Sequence, residues 1–558
     1  MTSIAQTESQ ASEPAPHRAD EFRNFLVRGD RLIPVLLFVM SLAYLTMFRH
    51  YSSLEPDEGI VLQGVERILH GEVPYRDFFS FYTPGSFYLV AFLFRFAGDS
   101  LIMARICLAV AGAICSVITY LLARRVCSRG IAVFAAALTT STGFAYRFLV
   151  LHNWYSTLLA CLAVYAGVRF LESHKGLWAF VTGCLSSSTI LFEQSKGAGL
   201  CLGFALGFLS LRLVGRQRIF GSAQLASMLA GFLLPSVPVC VYFGMEGSLG
   251  MMLQDWAWPL RHYTQANHVS YGWQNWSDHA RQMIFYSGPV GVRVLKTLAV
   301  SPGFLVPVLP LVGLGLFGYW VARMRRQELA PAHGSYYVLI SSTSSGLLLS
   351  VVIVRSDIIH LMYLAPLWYV LLAWLLGSPY LRSALVVSLR PYLSTFVALS
   401  FGMMALALLL AAVNANNQIE TRRGTISANA KDSVIEYVQA HVAPEREILV
   451  YPYLPLYNYL TATRSPSAYD YFQPGMNTPA QAQEIIASLK SHSSSPVLFE
   501  PWFPEKIANS WPDTPLAAIA NDPIADYISR NYRVCKMLHS PDGWRFHFMV
   551  RKDVTCPQ

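Results

Sequence analysis

The sequence predicts a polytopic α-helical membrane protein. Of its 558 residues, 54% are hydrophobic and only 13% are charged, and the mean hydropathy is +0.38. A soluble protein carries roughly 25% charged residues. The apolar residues are gathered in runs long enough to cross a hydrocarbon layer, which requires about 20 helical residues. We therefore ascribe the net charge of +9 to Lys and Arg on the cytoplasmic side, and no nucleic-acid partner is needed to explain it.

About eleven apolar runs are predicted to span the membrane. Residues 1–30 are polar, and the first run after them lacks a signal-peptide cleavage site, so we expect a cytoplasmic tail. A shorter run, 87–97, contains Arg95 and is predicted to be an interfacial helix that lies on the membrane. The predicted spans are 32–48, 101–123, 131–150, 155–171, 177–192, 198–213, 222–243, 298–321, 336–354, 361–377 and 392–413.

The distribution of basic residues predicts the topology. If 87–97 does not cross, the basic loops all fall on the side of the N-terminal tail, which the positive-inside rule assigns to the cytoplasm. The transmembrane region, 31–413, then exposes the loops 49–100 and 244–297 on the outer face, together with 414–558. The basic residues that carry this prediction are Arg124, Arg125, Arg129, Lys175, Arg212, Arg216, Arg218, Arg323, Arg325, Arg326, Arg382 and Arg390.

Residues 414–558 are polar and rich in proline, and we expect them to form a small α/β domain on the outer face. Their patterns predict helices at 434–441 and 524–531, and strands at 448–451, 496–499, 533–538 and 544–551. None of these strands leads into a Gly-rich phosphate loop, so we expect no nucleotide site there. Cys535 and Cys556 can form a disulfide if the domain is extracytoplasmic, and a reduced pair is the alternative.

A strongly polar stretch follows the first predicted span. Its motifs read Glu55-Pro56-Asp57-Glu58-Gly59, Gly71-Glu72-Val73-Pro74-Tyr75-Arg76-Asp77 and Tyr82-Thr83-Pro84-Gly85. Carboxylates near a bilayer are costly, so an acidic cluster at the exit of a span indicates a functional site. We expect Asp57 to be its central residue. The structural alternative is that Asp57 favours the N-terminus of the amphipathic segment 60–69, where acidic side chains are common.

Further polar motifs lie at the predicted outer ends of other spans. They are Ala104-Arg105-Ile106, Gln194-Ser195-Lys196-Gly197, and Arg355-Ser356-Asp357 with His360. Together with the acidic pair, the Gly-x-x-Pro-Tyr-x-Asp motif and the Pro-Gly before the interfacial helix, they resemble the multi-spanning GT-C glycosyltransferases. The resemblance is to bacterial members related to protein O-mannosyltransferases and to lipid A aminoarabinose transferases, and it covers essentially the whole chain.

The resemblance implies a GT-C-like fold in a multi-pass inner or plasma membrane. It also implies transfer of a sugar from a polyprenyl-phosphate-linked donor to a glycan, lipid or protein acceptor on the outer face. The catalytic carboxylate of the family maps to Asp57, which we expect to act as general base in an inverting displacement. We expect Glu58 to assist. Candidate substrate-binding residues are Asp77, Arg76, Tyr82, Arg105, His152, Gln194, Lys196, Arg355 and His360.

Each of these candidates has a structural alternative. Asp77 can stabilise a turn, and Lys196 and Arg355 can extend toward lipid headgroups from helix ends. We expect no cofactor and assign no metal ligands, although a Mg²⁺-type ion needs only one or two carboxylates.

Two other functions compete with glycosyl transfer. A flippase or transporter of a lipid-linked sugar would place ionisable residues near mid-membrane, whereas here they cluster at one face. An oligosaccharide ligase would use similar outer-face chemistry and stays an alternative.

Overall fold

The computed structural model describes residues 32–557 except 53, 218, 267, 328–330 and 378–383. Helices make up most of the chain as far as Val413, and short helices alternate with strands after it. The predicted cytoplasmic tail and two of the basic residues used for the topology, Arg218 and Arg382, lie outside the described residues.

Seven described helices are long and apolar enough to cross a membrane, which makes the chain a multi-pass membrane protein. They are Leu101–Ala123, His152–Ser173, Gln194–Leu213, Ser222–Met245, Val290–Arg325, Gly334–Val354 and Val387–Val413. Shorter apolar helices are Leu32–Thr46, Gly85–Ala97, Gly176–Phe192 and Ala365–Gly377. The predicted spans overlap these helices or the broken segment described next, and the count of eleven stays a prediction.

The predicted span 131–150 is a broken helix. An α-helix, Arg129–Leu138, is followed by a π-helical turn, Thr139–Gly143, and a 3₁₀ turn, Phe144–Arg147. Hydroxyl groups in the π-helical turn bind backbone carbonyls of the preceding turn; for example, Thr142 Oγ1 donates to the Leu138 carbonyl at 2.9 Å. Such side-chain bonds compete with the regular helical ladder. The break leaves an arginine at the outer end of an otherwise apolar segment.

The helix Pro56–Leu69 carries the polar motif that follows the first membrane helix. Proline occupies its first turn, followed by Asp57 and Glu58, and both features favour a helix N-terminus. The helix lies between the membrane helices and the C-terminal region. At Gly59 a Cβ atom would lie 2.3 Å from the backbone nitrogen of Leu456, so only glycine permits this approach. Other helices on this side are Leu249–Ala266, Asp278–Arg281 and Ile358–Met362.

The C-terminal region contains six strands in two sheets. In chain order they are β1 Asn417–Thr421, β2 Gly424–Ala428, β3 Leu449–Tyr451, β4 Val497–Phe499, β5 Tyr532–His539 and β6 Arg545–Arg551. Strands β1 and β2 form an antiparallel hairpin, and the second sheet has the order β3-β4-β6-β5, with only β3 and β4 parallel. The helices of the C-terminal region are Ser433–His441, Leu456–Leu460, Pro479–Ser491, Phe503–Ser510, Leu516–Ala520 and Pro523–Asn531.

The predicted strands and helices of this region are confirmed, with ends that differ by at most one residue. Cys535 and Cys556 form a disulfide, with their Cα atoms 5.6 Å apart, which resolves the alternative that the sequence left open. The bond joins the C-terminal end of the chain to β5.

Ion pairs fix the first outer loop against the C-terminal region. Arg67 Nε lies 2.7 Å from Asp470 Oδ2, and Arg423 Nη2 lies 2.7 Å from Glu66 Oε2. Three of these four side chains are less than 10% exposed and the fourth is 10% exposed, so solvent screens these pairs weakly. The predicted first outer loop and the C-terminal region are therefore on the same side of the membrane.

Candidate active site

A cavity of about 940 Å³ lies between one set of membrane-helix ends and the C-terminal region. Its walls come from loop 49–100, from the ends of several membrane helices and from the C-terminal region that contains the sheets. Six of the eleven site residues predicted from the sequence line it, namely Asp57, Tyr82, His152, Gln194, Arg355 and His360. The tertiary structure therefore gathers residues up to about three hundred positions apart around one space.

Asp57 faces this cavity from the first turn of its helix, with 41% of its side chain exposed. Arg147 Nη2 donates to Asp57 Oδ2 at 3.2 Å and to Glu55 Oε2 at 2.9 Å. Burial raises the pKa of Glu55, although the positive charge of Arg147 opposes this rise. Asp57 therefore lines the cavity with part of its carboxylate open to solvent, the position that a general base needs.

Glu58 and Arg105 are placed differently from the expected catalytic and binding roles. Both side chains are fully buried, and Arg105 donates to Glu58 through Nε at 3.0 Å and through Nη2 at 2.6 Å. Glu58 also accepts from the Val150 backbone nitrogen at 2.9 Å. Within the described part of the chain, neither residue lines the cavity. The structure thus places both residues in a buried ion pair that joins loop 49–100 to a membrane helix, and their expected catalytic and binding roles stay predictions.

Arg76 and Asp77 also lie outside the cavity walls that the structure describes. Arg76 pairs with Asp77 at 2.8 Å and with Glu246 at 2.5 Å, and Asp77 accepts from the Val73 backbone nitrogen at 2.7 Å. The hydrogen bond from Arg76 lowers the pKa of Asp77. This geometry corresponds to the turn-stabilising alternative, so we remove both residues from the candidate site.

Lys196 is buried behind the cavity wall rather than aimed into it. Its side chain is only 2% exposed, and Nζ lies 2.8 Å from Glu193 Oε2, 2.9 Å from both the Asn153 carbonyl and Ser156 Oγ, and 3.0 Å from Thr157 Oγ1. An ammonium group has three protons, so these acceptors already saturate it. These contacts favour a role in positioning Glu193 and Asn153, which do line the cavity, and a role of Lys196 in phosphate binding stays a prediction.

Arg355, Asp357 and His360 form a connected group on the cavity wall. Arg355 donates through Nε to Asp357, whose other oxygen lies 2.7 Å from His360 Nδ1. The Arg355 guanidinium stands 5.5 Å from the ring centre of Trp273 and 4.8 Å from that of Trp511. Burial alone would raise the pKa of Asp357, but His360 and Arg355 hold it well below its usual range. Asp357 therefore stays ionised and orients both the Arg355 guanidinium and the His360 ring.

Three further predicted residues also line the cavity. The ring centres of Tyr82 and His152 are 4.0 Å apart. Gln194 donates from Nε2 to the carbonyls of Phe81 and Trp256, each at 3.2 Å, and so ties two outer segments together. His152 Nδ1 is buried and has no hydrogen-bond partner among the described residues. Its position and its unused hydrogen-bonding capacity leave it available to a ligand.

The sequence did not identify several charged residues of the cavity. Arg147 belongs to a run that was predicted only as a span, although a charge so close to the end of an apolar run is itself a signal. Lys506 and Asp542 line the cavity from the C-terminal region, where local sequence carries no such signal. Burial lowers the pKa of Lys506 to about 8 and, together with the nearby carboxylate of Glu55, raises that of Asp542 to about 6.

The cavity continues into an apolar groove. Aliphatic side chains that line the cavity are also 40% to 60% exposed, namely Leu202, Leu253, Leu260, Leu349 and Ile353. They belong to three helices, Gln194–Leu213, Leu249–Ala266 and Gly334–Val354. In a membrane, an open groove with these walls suits an apolar chain.

Comparison with known proteins agrees with this architecture. Residues 82–242 match the family described as dolichyl-phosphate-mannose-protein mannosyltransferase. No curated protein sequence matches the chain. Among solved structures, ArnT from Cupriavidus metallidurans in the apo state has a TM-score of 0.50 and 14% sequence identity, with 94% of this chain and 99% of that chain covered.

Two further solved structures are similar. ArnT from the same organism bound to undecaprenyl phosphate has a TM-score of 0.49 and 14% identity, covering 95% of this chain and 99% of that chain. The Archaeoglobus fulgidus oligosaccharyltransferase tethered with an acceptor peptide has a TM-score of 0.47 and 11% identity, covering 94% and 74%. At these identities the likeness is one of fold. The predicted GT-C-like fold class is confirmed.

Proposed function

We propose that this protein transfers a sugar from a polyprenyl-phosphate-linked donor to an acceptor on the outer face of the membrane. The observation that carries the proposal is that Asp57 faces a cavity where an apolar groove meets a cluster of cationic side chains. Such a space accommodates a lipid tail and an anionic headgroup beside a carboxylate. The description of the matching family, which names a dolichyl-phosphate sugar, supports a donor of this class.

The donor phosphate binds near Arg355 and His360 in this proposal. Arginine suits bidentate phosphate binding, and both residues line the cavity close to the apolar groove. Tyr363 lines the same space, and its hydroxyl is buried without a hydrogen-bond partner among the described residues. A buried polar atom of this kind needs a partner, and a phosphate oxygen would supply one to Tyr363 and to His152.

In the proposed reaction, the acceptor's hydroxyl or amine attacks the anomeric carbon of the donor sugar. Asp57 takes the acceptor proton while the new bond to the anomeric carbon forms and the bond from that carbon to the phosphate oxygen breaks. The polyprenyl phosphate leaves with the bonding electrons, and the nearby cations stabilise its charge. A single displacement of this kind inverts the anomeric configuration.

Consumption of a labelled donor tests the catalytic role of Asp57. The full-length protein is purified and incubated with a panel of radiolabelled polyprenyl-phosphate sugars. We expect one donor to be consumed, and Asp57→Asn to reduce its rate by about 100-fold or more, as removal of a general base does. The donor KM should change less than kcat, because the phosphate is held by other residues.

Asp99→Asn is the matched control, because Asp99 is an exposed carboxylate of the same outer loop that pairs with Arg423. This variant should retain activity. Full activity of Asp57→Asn, or a product that keeps the anomeric configuration of the donor, would contradict the proposed mechanism.

A further inference from the structure

We infer that Arg147 is an internal counter-cation that occupies the position a divalent metal ion would take between Glu55 and Asp57, so this carboxylate pair binds no metal. A pair of nearby carboxylates is the usual protein contribution to a Mg²⁺ site. Here one guanidinium nitrogen, Nη2 of Arg147, lies 2.9 Å from Glu55 Oε2 and 3.2 Å from Asp57 Oδ2. The oxygens that would face a metal already face this nitrogen.

The surrounding structure holds Arg147 in this position. Its carbonyl accepts from the indole nitrogen of Trp154 at 2.8 Å, and Trp154 is fully buried and stacks on Phe144 with ring centres 4.3 Å apart. These contacts fix the 3₁₀ turn Phe144–Arg147 from which the side chain extends. The Arg147 side chain is only 15% exposed, so withdrawing the permanently charged guanidinium would leave two carboxylates without their cation.

The charges around Asp57 also favour this assignment. Glu58 has its own partner in Arg105, so Arg147 serves only Glu55 and Asp57. With both carboxylates ionised, these three side chains carry a net charge of −1. A divalent ion added beside Arg147 would make the group positive. Among the described residues, no group of three or more His, Cys, Asp or Glu side chains is arranged to hold a metal ion.

Binding of Mn²⁺ tests this inference without any substrate, so its result is independent of the proposed glycosyl transfer. The free Mn²⁺ signal in electron paramagnetic resonance is titrated with metal-stripped, full-length protein. We expect the wild type to show no saturable Mn²⁺ binding at this carboxylate pair. Glu55→Gln should therefore leave the Mn²⁺ titration unchanged. Arg147→Met should gain about one Mn²⁺ per protein, at least tenfold tighter than the wild type, because it frees two carboxylates that face each other.

A double variant and a control locate the gained ion. Arg147→Met combined with Glu55→Gln should lose the gain, whereas Arg76→Met should show none, because its partners Asp77 and Glu246 are a third exposed. If Arg147→Met does not fold, Arg147→Gln replaces it. One Mn²⁺ bound by the wild type and lost in Glu55→Gln would overturn the inference, and so would folded Arg147 variants that gain no metal.

Discussion

Neighbouring residues in the acidic motif have different structural roles. Successive positions of a helix point about 100° apart, so Asp57 and Glu58 cannot face the same space. Asp57 faces the cavity and is partly exposed, whereas Glu58 is fully buried against Arg105. The same motif therefore combines a candidate catalytic group with an ion pair that supports it. Their separation leads to different expectations for variants at the two positions.

Glu58→Gln should reduce stability rather than catalysis alone. Removing one partner leaves the fully buried Arg105 charge uncompensated, and such losses cost about 3–5 kcal/mol. We expect a large fall in melting temperature in detergent, measured by intrinsic fluorescence. The double variant Glu58→Gln/Arg105→Met should recover part of that loss, since no unpaired charge remains. A Glu58→Gln protein with wild-type stability and no activity would instead favour a direct chemical role.

Variants at Arg355 and Lys196 should have different effects, the first on donor binding and the second on protein stability. Arg355→Met removes a cation from the cavity wall and should raise the donor KM by about tenfold, which corresponds to one charge-assisted hydrogen bond. Lys196→Met removes a buried ammonium from Glu193 and should mainly lower the melting temperature. Donor titrations and thermal unfolding of both variants check this. A stable Lys196→Met protein whose donor KM alone rises would restore its expected role in phosphate binding.

At the scale of elements, close packing of two membrane helices shapes one side of the cavity. Helices Gln194–Leu213 and Gly334–Val354 meet through glycines, as expected where apolar lipid gives little driving force and backbones must approach closely. A Cβ at Gly346 would lie 2.1 Å from the Gly199 carbonyl oxygen and 2.6 Å from the Gly203 nitrogen. Gly199 itself lines the cavity, so this contact sets the position of the wall.

Gly346→Ala should therefore destabilise the protein, although alanine favours helices. Overpacking typically costs about 1–3 kcal/mol, and here backbone atoms rather than a flexible side chain must move. Gly318→Ala is the control, because a Cβ there meets no atom within 4 Å. We expect a lower melting temperature for Gly346→Ala and an unchanged or higher one for Gly318→Ala. Equal stability of the two variants would show that the helices can separate at little cost.

At the scale of the whole molecule, one cavity joins the first outer loop, the ends of several membrane helices and the C-terminal region. The contact between Arg125 and Glu172, at 2.8 Å, joins the far ends of two membrane helices on the opposite side. The structure thus groups these segments by side, as the charge distribution predicted. The assignment of the C-terminal region to the extracytoplasmic side stays a proposal, and the disulfide supports it because such bonds persist in oxidising compartments.

Reporter fusions and thiol labelling test this orientation. A fusion after Arg125 should be active only as a cytoplasmic reporter, and one after residue 557 only as an extracytoplasmic reporter. Cys535 and Cys556 should resist maleimide in unreduced protein and react after reduction. The double variant Cys535→Ser/Cys556→Ser should have a lower melting temperature than the wild type, since closing a loop of this size contributes about 3 kcal/mol. Labelling of both cysteines before reduction, or reversed reporters, would contradict the proposed topology.

Local elements of the fold could be predicted from the sequence, whereas contacts between distant segments could not. The apolar runs, the amphipathic segment 60–69 and the four predicted strands of the C-terminal region follow from short-range patterns, and all are present, although the helix begins earlier, at Pro56. The break before Arg147 was not predicted, because an apolar run alone does not reveal where hydroxyl side chains disrupt the helical ladder. The buried positions of Glu58 and Lys196 were likewise missed, since a sequence motif does not show which partner each charge meets.

The sequence by itself determined that this is a multi-spanning membrane protein and predicted its GT-C-like fold, because hydrophobic length and the order of polar motifs are properties of the chain. It also singled out Asp57. Only the tertiary structure decided which charges share the cavity, because pairing depends on contacts between distant segments. Arg147 reaches Asp57 across 90 positions, and Arg105 reaches Glu58 across 47. Burial makes each pairing necessary, since a charge removed from water must be neutralised by whatever partner the fold places beside it.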